Sequence, residues 1–397
     1  MPTQVAEYTK EIPCSDSVGI MEHPGSVQSQ TLPEPIKDLF KDIRIPPIRS
    51  SAIHELEHCP RKFMYLYKLG LCPQEYVASL SIGRVFHLVL QALFSGASQD
   101  KARQAANKTL NRMSNEILAS ADSAGFTPSG KVAAAVIQTM EDDFHKARAM
   151  ALAFMQFVPF NWDDWEILET PDGLSCVELK LEAKVRGVSV PIISPCDLAL
   201  VKKSTGEVWI VDHKTTSMKT LARARSVRIS SQIALYRLVL QCHLDAWAES
   251  SPGYPSRRVV GSIHNIVKKP TIKYCPKTKD KDGFSHYIGR VHQWYKDEHA
   301  KDAENSPILQ TATVFRDPVL SKELYLRLQQ QARASRTHPN LERFFRAGDY
   351  ACHSFNSECP FSGLCSRDLI TWEDEISRRF QIKFREDEEE DEARDYN

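Results

Sequence analysis

The sequence predicts an α/β fold, with a strand cluster in the middle of the chain and helices before and after it. Between residues 176 and 216 apolar residues recur at every second position, which is the period of strands. Over 81–94 and 131–157 they recur at three and four, which is the period of helices. A strand cluster with a helical surround is an α/β or α+β core. No internal repeat is visible.

Residues 1 to about 45 contain Pro, Ser and Gln with little periodicity and read as a mobile arm. "SSAIHELEHCPRKFMYLYKL" (50–69) reads as a capped helix followed by a short amphipathic one. "SIGRVFHLVLQALF" (81–94) places Phe86, Val89, Leu90 and Leu93 on one helical face. The segment 131–157 does the same with Val136, Ile137, Met140, Phe144, Ala147 and Phe154. Then "CVELKLEAKV", "VSVPIISPCDLALV" and "EVWIVDHKT" follow one another with short turns, as expected of three strands in an antiparallel meander. A helix at about 229–249, a strand at about 258–267, a basic loop over 268–281 and a helix at about 319–346 complete the reading. One domain is expected over 46–380, between the arm and an acidic tail at 381–397.

Composition narrows the function classes. The 397 residues include 51 Lys+Arg and 51 Asp+Glu, so affinity for nucleic acid has to come from local patches. The run "EDEEEDE" (386–392) carries seven negative charges by itself and hides a modest basic excess elsewhere. A solubilising role suits this tail, with a basic protein partner as the alternative. No stretch approaches the roughly 18 apolar residues of a membrane helix. The first residues lack the charged start and apolar run of a secretory signal. A cytoplasmic setting follows, where clustered cysteines favour metal over disulfide.

In "WIVDHKTTS" (209–217) an acid and a lysine stand two residues apart on an apolar strand, so Asp212 and Lys214 share one face. Alone, such a pair is ordinarily a salt bridge. The preceding strand ends in "PCDLAL", which can bring Asp197 beside Asp212, and Glu178 adds a third acid in the same sheet. Buried carboxylates held together repel unless a cation lies between them, and hard oxygen donors suit Mg²⁺ or Mn²⁺. A lysine beside such an ion can position or deprotonate a water for attack on phosphorus.

Two further patterns fall in order around this pair. "GRVFH" sets Gly83 one turn before His87, and "QIALY" sets Gln232 and Tyr236 on one helical face. Together these residues resemble the RecB-like branch of the PD-(D/E)XK nucleases. That branch has an early G-x-x-x-H, an Asp ending one strand, D-x-K-T on the next, and Q-x-x-x-Y on the following helix. The resemblance implies a restriction-endonuclease-like core sheet. It implies His87, Asp197, Asp212 and the backbone carbonyl of His213 as metal ligands, with Lys214 activating water. Gln232 and Tyr236 would position DNA, and Glu178 matches a less specific acid. Pro195 stands two residues before Asp197, where the family often has Gly.

The same resemblance bears on the cysteines. Cys352, Cys359 and Cys365 are separated by six and five residues, which is unusual for zinc. Many RecB-like nucleases pair three such cysteines with one upstream of the core, here Cys59. Together they hold a [4Fe–4S] cluster that staples the N- and C-terminal parts. Pro60 and Pro360 follow Cys59 and Cys359 in the family manner. Thiolate chemistry alone leaves iron–sulfur and zinc both open, and His353 is an alternative donor to the second cysteine.

The loop "KKPTIKYCPKTKDK" has six lysines against one acid, with Lys268, Lys269 and Lys273 nearest the strand and Tyr274 among them. "KTLARARSVR" (219–228) adds Lys219, Arg223, Arg225 and Arg228 after the lysine strand. Both are expected to contact DNA phosphates. The resulting expectation is a metal-dependent DNA exonuclease acting on ends or single strands in recombination or repair, in a phage or bacterium. Absence of a Walker motif argues against a built-in helicase motor. A CRISPR-adaptation nuclease and a catalytically silent nucleic-acid-binding scaffold are the alternatives.

Overall fold

The computed structural model describes residues 4–8, 45–73, 78–96, 130–157, 161–227, 230–274, 283–339, 344–348, 358–366 and 371–382, with a few single positions that include Cys352. Most of the arm, residues 275–282 of the basic loop, Arg228, His353 and the acidic tail beyond 382 lie outside the described residues.

The elements in chain order begin with β1 (Gln4–Tyr8) and α1 (Ser50–His58). A short helix (Pro60–Phe63) and a π turn (Met64–Lys68) lead to β2 (Leu71–Pro73). The helices α2 (Ala78–Phe94) and α3 (Gly130–Phe157) follow. The strand cluster is β3 (Trp165–Ile167), β4 (Val177–Val185), β5 (Ile192–Lys202) and β6 (Val208–Thr216). Then come α4 (Thr220–Val227), α5 (Ser231–Ser250), β7 (Val259–Lys268), α6 (Gly283–Lys301) and β8 (Ile308–Val314). The chain continues through α7 (Lys322–Arg336), α8 (Trp372–Arg379) and β9 (Phe380–Ile382).

Seven strands form one mixed sheet in the order β1-β4-β5-β6-β7-β8, with β3 added to β5. The three strands expected as a meander lie side by side, and β5 meets β6 antiparallel. β7 then joins β6 parallel, so the chain must cross over the sheet, and α4 and α5 make that crossover. Ser230 starts α5 by accepting the Gln232 N–H, a side-chain N-cap. The result is an α/β fold with a mixed sheet and a helical surround.

Several elements differ from the sequence reading. β1 arises in the arm, where no periodicity announces it. β3 and β8 are further strands; β8 alternates cleanly in burial but is only seven residues long between helices. α1 has no side-chain cap: Arg49 is extended, and Ser50 and Ser51 fall inside the helix. The cause is a tertiary contact, because Ile48 is held in a parallel bridge to Ile192 and the helix starts soon after it. α7 stops at Arg336, with Thr337 bonding back to the Arg333 carbonyl and Pro339 close behind.

The chain divides into two compact units, with boundaries inside β4 and β5. The first unit holds residues 1–74, 182–194 and 318–394. Its core joins Phe63, Met64, Tyr65, Phe344, Phe361, Leu364, Trp372 and Phe380, and β2 pairs antiparallel with β9. At its β4–β5 turn Gly187 has φ +79°, and a Cβ there would run into the Tyr325 hydroxyl, so only glycine fits. The second unit holds 75–181 and 195–317. Its core packs α2 and α3 against β5, β6 and β7 through Phe86, Val89, Phe144, Phe154, Leu198, Val211 and Ile263.

Candidate active site

Four elements of the second unit deliver side chains to one place. α2 brings His87, the start of β4 brings Glu178, the middle of β5 brings Asp197, and the end of β6 brings Asp212, His213 and Lys214. Gly83, one turn before His87, faces β6, and a Cβ there would rest 3.6 Å from Thr215 Oγ1, an ordinary contact that does not itself demand glycine.

His87 is the hub. Its Nδ1 lies 3.0 Å from Glu178 Oε1 and 3.6 Å from Asp197 Oδ2. Its Nε2 donates to the His213 carbonyl at 2.9 Å. Asp197 Oδ2 also accepts the His213 N–H at 2.9 Å, which ties β5 to β6 at the site. Donor atoms of His87, Glu178 and Asp197 all lie within 4.8 Å of one another, a spacing that fits one divalent cation. An imidazole with two carboxylates and a nearby carbonyl is a mixed N/O set open to hard or borderline divalent ions.

Glu178 reaches this cluster through strain. Its φ of +48° is the single positive value at a non-glycine residue among the described residues. That conformation is disfavoured for an L side chain and is typically held by its surroundings at functional sites. The sequence ranks Glu178 below the other acids; the structure places it within the three-residue cluster, on the His87 ring.

Asp212 stands beside this cluster rather than within it. It is fully buried, with Oδ1 accepting from Lys214 Nζ at 2.6 Å and Oδ2 lying 3.6 Å from His264 Nδ1. Among the described residues Asp212 Oδ2 and His264 Nδ1 have no hydrogen-bond partner at normal distance, and they face each other at 3.6 Å. A buried, half-satisfied carboxylate is a group that an added cation or proton would complete. His264 faces Asp212 in the β6–β7 register, and Asn265 donates to His213 Nδ1 at 3.2 Å. Sequence reasoning missed both, although two polar residues in the buried run "VVGSIHNIVK" were the available signal.

Charges in this group are strongly shifted. Desolvation disfavours the His87 cation, yet Asp197 and Glu178 outweigh it and lift the imidazole to about 9. Burial raises Asp197 to about 7, against the pull of His87 and with Glu178 and Asp212 adding repulsion. Burial also opposes ionisation of Asp212, but Lys214 and His264 hold it well below the usual carboxylate range. Lys214 is desolvated, yet Asp212 and Asp197 push it up, so it is an ammonium; Arg223 on α4 opposes that charge. Burial and the neighbouring His87 push His213 down to about 3, which leaves a neutral ring stacked on Phe94 at 5.7 Å.

The remaining expected residues fall in two groups. Gln232 donates to the hydroxyl of Tyr236 along one face of α5. Tyr236 is buried, and burial with the charges of Asp197 and Asp212 raises its hydroxyl, so it lies behind the carboxylates. Lys268 bonds Glu298 at 3.2 Å, Lys269 is half-buried near Asp143 and Lys146, and Lys273 is exposed.

The cysteines belong to the first unit. Cys59 sits between α1 and the helix Pro60–Phe63, and Cys359 N–H donates to the Cys352 carbonyl at 2.7 Å. Tyr65 shares a 3.9 Å hydrogen bond with Cys365 Sγ and stacks on Phe361. Burial raises the Cys365 thiol, with Cys59 and Cys352 adding to it against Tyr65 and Arg61. Burial likewise raises Cys359, with Cys365 and Cys352 adding to it. The Cys365 thiol thus feels Cys59 and Cys352, and the Cys359 thiol feels Cys365 and Cys352, whereas among the described residues the group gathered closely enough for one ion is His87, Glu178 and Asp197.

A mixed sheet thus carries clustered carboxylates and a lysine at the end of one strand, with a candidate site for one divalent cation. The chain belongs to the PD-(D/E)XK nuclease superfamily, whose sequence profile matches residues 50–366. No match is found among curated proteins. Among the described residues no helix is long and apolar enough to cross a membrane.

Proposed function

We propose that this protein is a Mg²⁺- or Mn²⁺-dependent deoxyribonuclease of the RecB-like branch, degrading DNA from ends or single strands in recombination or repair. The supporting observation is the convergence of His87, Glu178 and Asp197 beside the buried Asp212–Lys214 pair. His87, Glu178 and Asp197 would hold the ion, with Asp212 and the His213 carbonyl adjacent. Once bound, the ion supplies Lewis acidity toward a phosphate oxygen and the attacking water.

The chain's own groups do the rest. Lys214 is an ammonium in its Asp212 and Asp197 surroundings, so it acts as a donor. It orients the water and offsets negative charge growing on the phosphate oxygens. Asp212 fixes the Lys214 ammonium in place, and His264 backs Asp212 from β7. Gln232, half-buried at the start of α5, contacts the DNA backbone, and buried Tyr236 orients it. Lys273, Lys269, Lys268 and the basic α4 supply phosphate contacts.

The second part of the proposal is a [4Fe–4S] cluster on Cys59, Cys352, Cys359 and Cys365, joining chain segments that are far apart in sequence. Its support is the mutual influence of the four thiols, with the Arg61 and Lys62 charges beside them. Zinc is the alternative occupant.

Action at ends is tested by comparing linear DNA with covalently closed single-stranded and double-stranded circles of the same sequence, with Mn²⁺. The expected result is loss of linear DNA while closed circles persist. Equal degradation of closed circles would rule out an end requirement.

A further inference from the structure

A cluster of rings lies beside the strand ends of the active site, in the second unit. β6 and β7 run parallel and finish together, Thr216 opposite Lys268, with Lys269 N–H donating to the Thr216 carbonyl at 2.7 Å. Lys214 is two residues before that end, and the chain beyond it carries Lys273 and Tyr274.

Tyr274 does not project alone. The His145 ring of α3 packs on it with centroids 4.2 Å apart and lies 5.1 Å from Phe284 of α6. Tyr287 lies 5.3 Å from Tyr274 on its other side. The Arg148 guanidinium covers the Phe284 ring at 3.9 Å. Arg290 lies 5.4 Å from the Tyr287 ring and donates to the Lys273 carbonyl at 2.9 Å. His145, Tyr274 and Phe284 are half-buried, whereas Lys273 and Arg290 are exposed. Burial and Arg148 keep His145 uncharged, and its Nδ1 has no hydrogen-bond partner among the described residues. The imidazole is thus a flat, neutral ring among cations.

Packing between α3 and α6 accounts for apolar rings here. It does not account for Arg148, Lys273 and Arg290 bordering those rings, because an apolar seam is better served by apolar neighbours. Rings interleaved with cations suit unpaired nucleic acid: each base has a stackable face, and each phosphate needs a positive partner. Duplex DNA hides its base faces and gains nothing from such a surface.

We infer that Tyr274, His145 and Phe284, bordered by Arg148, Lys273 and Arg290, form a stacking platform for unpaired bases of a DNA strand passing the active site. The inference rests on the nuclease reading and adds to it the residues that seat the unpaired bases of a single strand or of a frayed duplex end. An acidic segment of another protein is the rival occupant.

The test is equilibrium binding with EDTA present, so that no cleavage occurs. The probes are labelled oligothymidylate, an abasic strand of equal length, and a blunt duplex. The wild-type protein is expected to bind oligothymidylate roughly 5- to 150-fold more tightly than the abasic strand. Tyr274→Leu and Phe284→Leu should each lose much of that preference and leave duplex binding unchanged, whereas Tyr274→Phe keeps it. The wild-type comparison needs no variant, so a poorly folded variant does not remove the test. Equal wild-type affinity for normal and abasic strands overturns the platform, even if the protein cleaves DNA. Equal losses on duplex and single strand in the variants also overturn it, and point to a general contact surface. Wild-type protein that binds none of the probes, and cleaves none of them when Mn²⁺ replaces EDTA, overturns both the platform and the nuclease reading.

Discussion

His87 carries the electrostatics of the site at the scale of single residues. With Nδ1 on Glu178 and Nε2 on the His213 carbonyl, both ring nitrogens face acceptors, and the ring keeps its proton to about pH 9. Its folded value lies above the open-chain 6.5, so its contribution to stability is complete below about 6.5 and lost as pH rises through about 9. Asp197 works in a lower window: its value of about 7 lies above the open-chain 3.8, so ionising it inside the fold costs stability as pH rises from 3.8 to about 7. A cation at this site displaces the His87 proton. Mn²⁺ affinity, measured by calorimetry, should therefore rise by about tenfold per pH unit between 7 and 9, with about one proton released. His87→Ala should bind weakly and without that slope; an affinity independent of pH in the wild type would contradict this picture. His87, Asp197, Asp212 and Lys214 were legible in the sequence because their spacing is a motif. Glu178 was legible only as a less specific acid, because its strain at φ +48° has no local pattern, and His264 was missed because its place opposite Asp212 comes from cross-strand register.

Strands and helices set where those groups point. β6 puts Asp212 and Lys214 on one face because they stand two residues apart on a pleated strand, and β7 pairs with it in parallel beyond a register shift at Val208/Trp209. Gly261 matters to that pairing: a Cβ there would collide with the Trp209 ring and come within 2.7 Å of the Thr313 carbonyl. Gly261→Ala should destabilise the protein by about 1–3 kcal/mol, read as a lower urea midpoint at unchanged slope. An unchanged midpoint would mean that the sheet gives way there without strain. At this scale the sequence revealed α2, α3, β4, β5, β6 and α5 through long, clean periods. β1, β3 and β8 escaped because three to seven residues hold too little periodicity to separate a strand from a loop or helix end. The missing cap of α1 escaped because the bridge between Ile48 and Ile192 is a tertiary contact.

For the whole molecule, the proposed nuclease site and the proposed cysteine cluster belong to different compact units. A cluster on the four cysteines would join position 59 to positions 352–365 and so close most of the chain into one loop. Anaerobically purified protein should be brown, with about four irons per chain. Cys359→Ser should lose the colour and melt at lower temperature. A colourless protein carrying about one zinc would replace iron with zinc in this account. The pairing of Cys59 with a distant trio was visible only by resemblance, since nothing local links residues so far apart. The central claim, that the carboxylate–lysine group hydrolyses DNA, is tested most directly by following degradation of labelled linear and single-stranded DNA with Mn²⁺. Wild type, Asp212→Asn and Lys214→Met should be run side by side, with folding checked by circular dichroism. The account predicts degradation by the wild type that stops with EDTA and falls by at least ~100-fold in both folded variants. No degradation by metal-loaded wild type, or equal degradation by the variants, would contradict it.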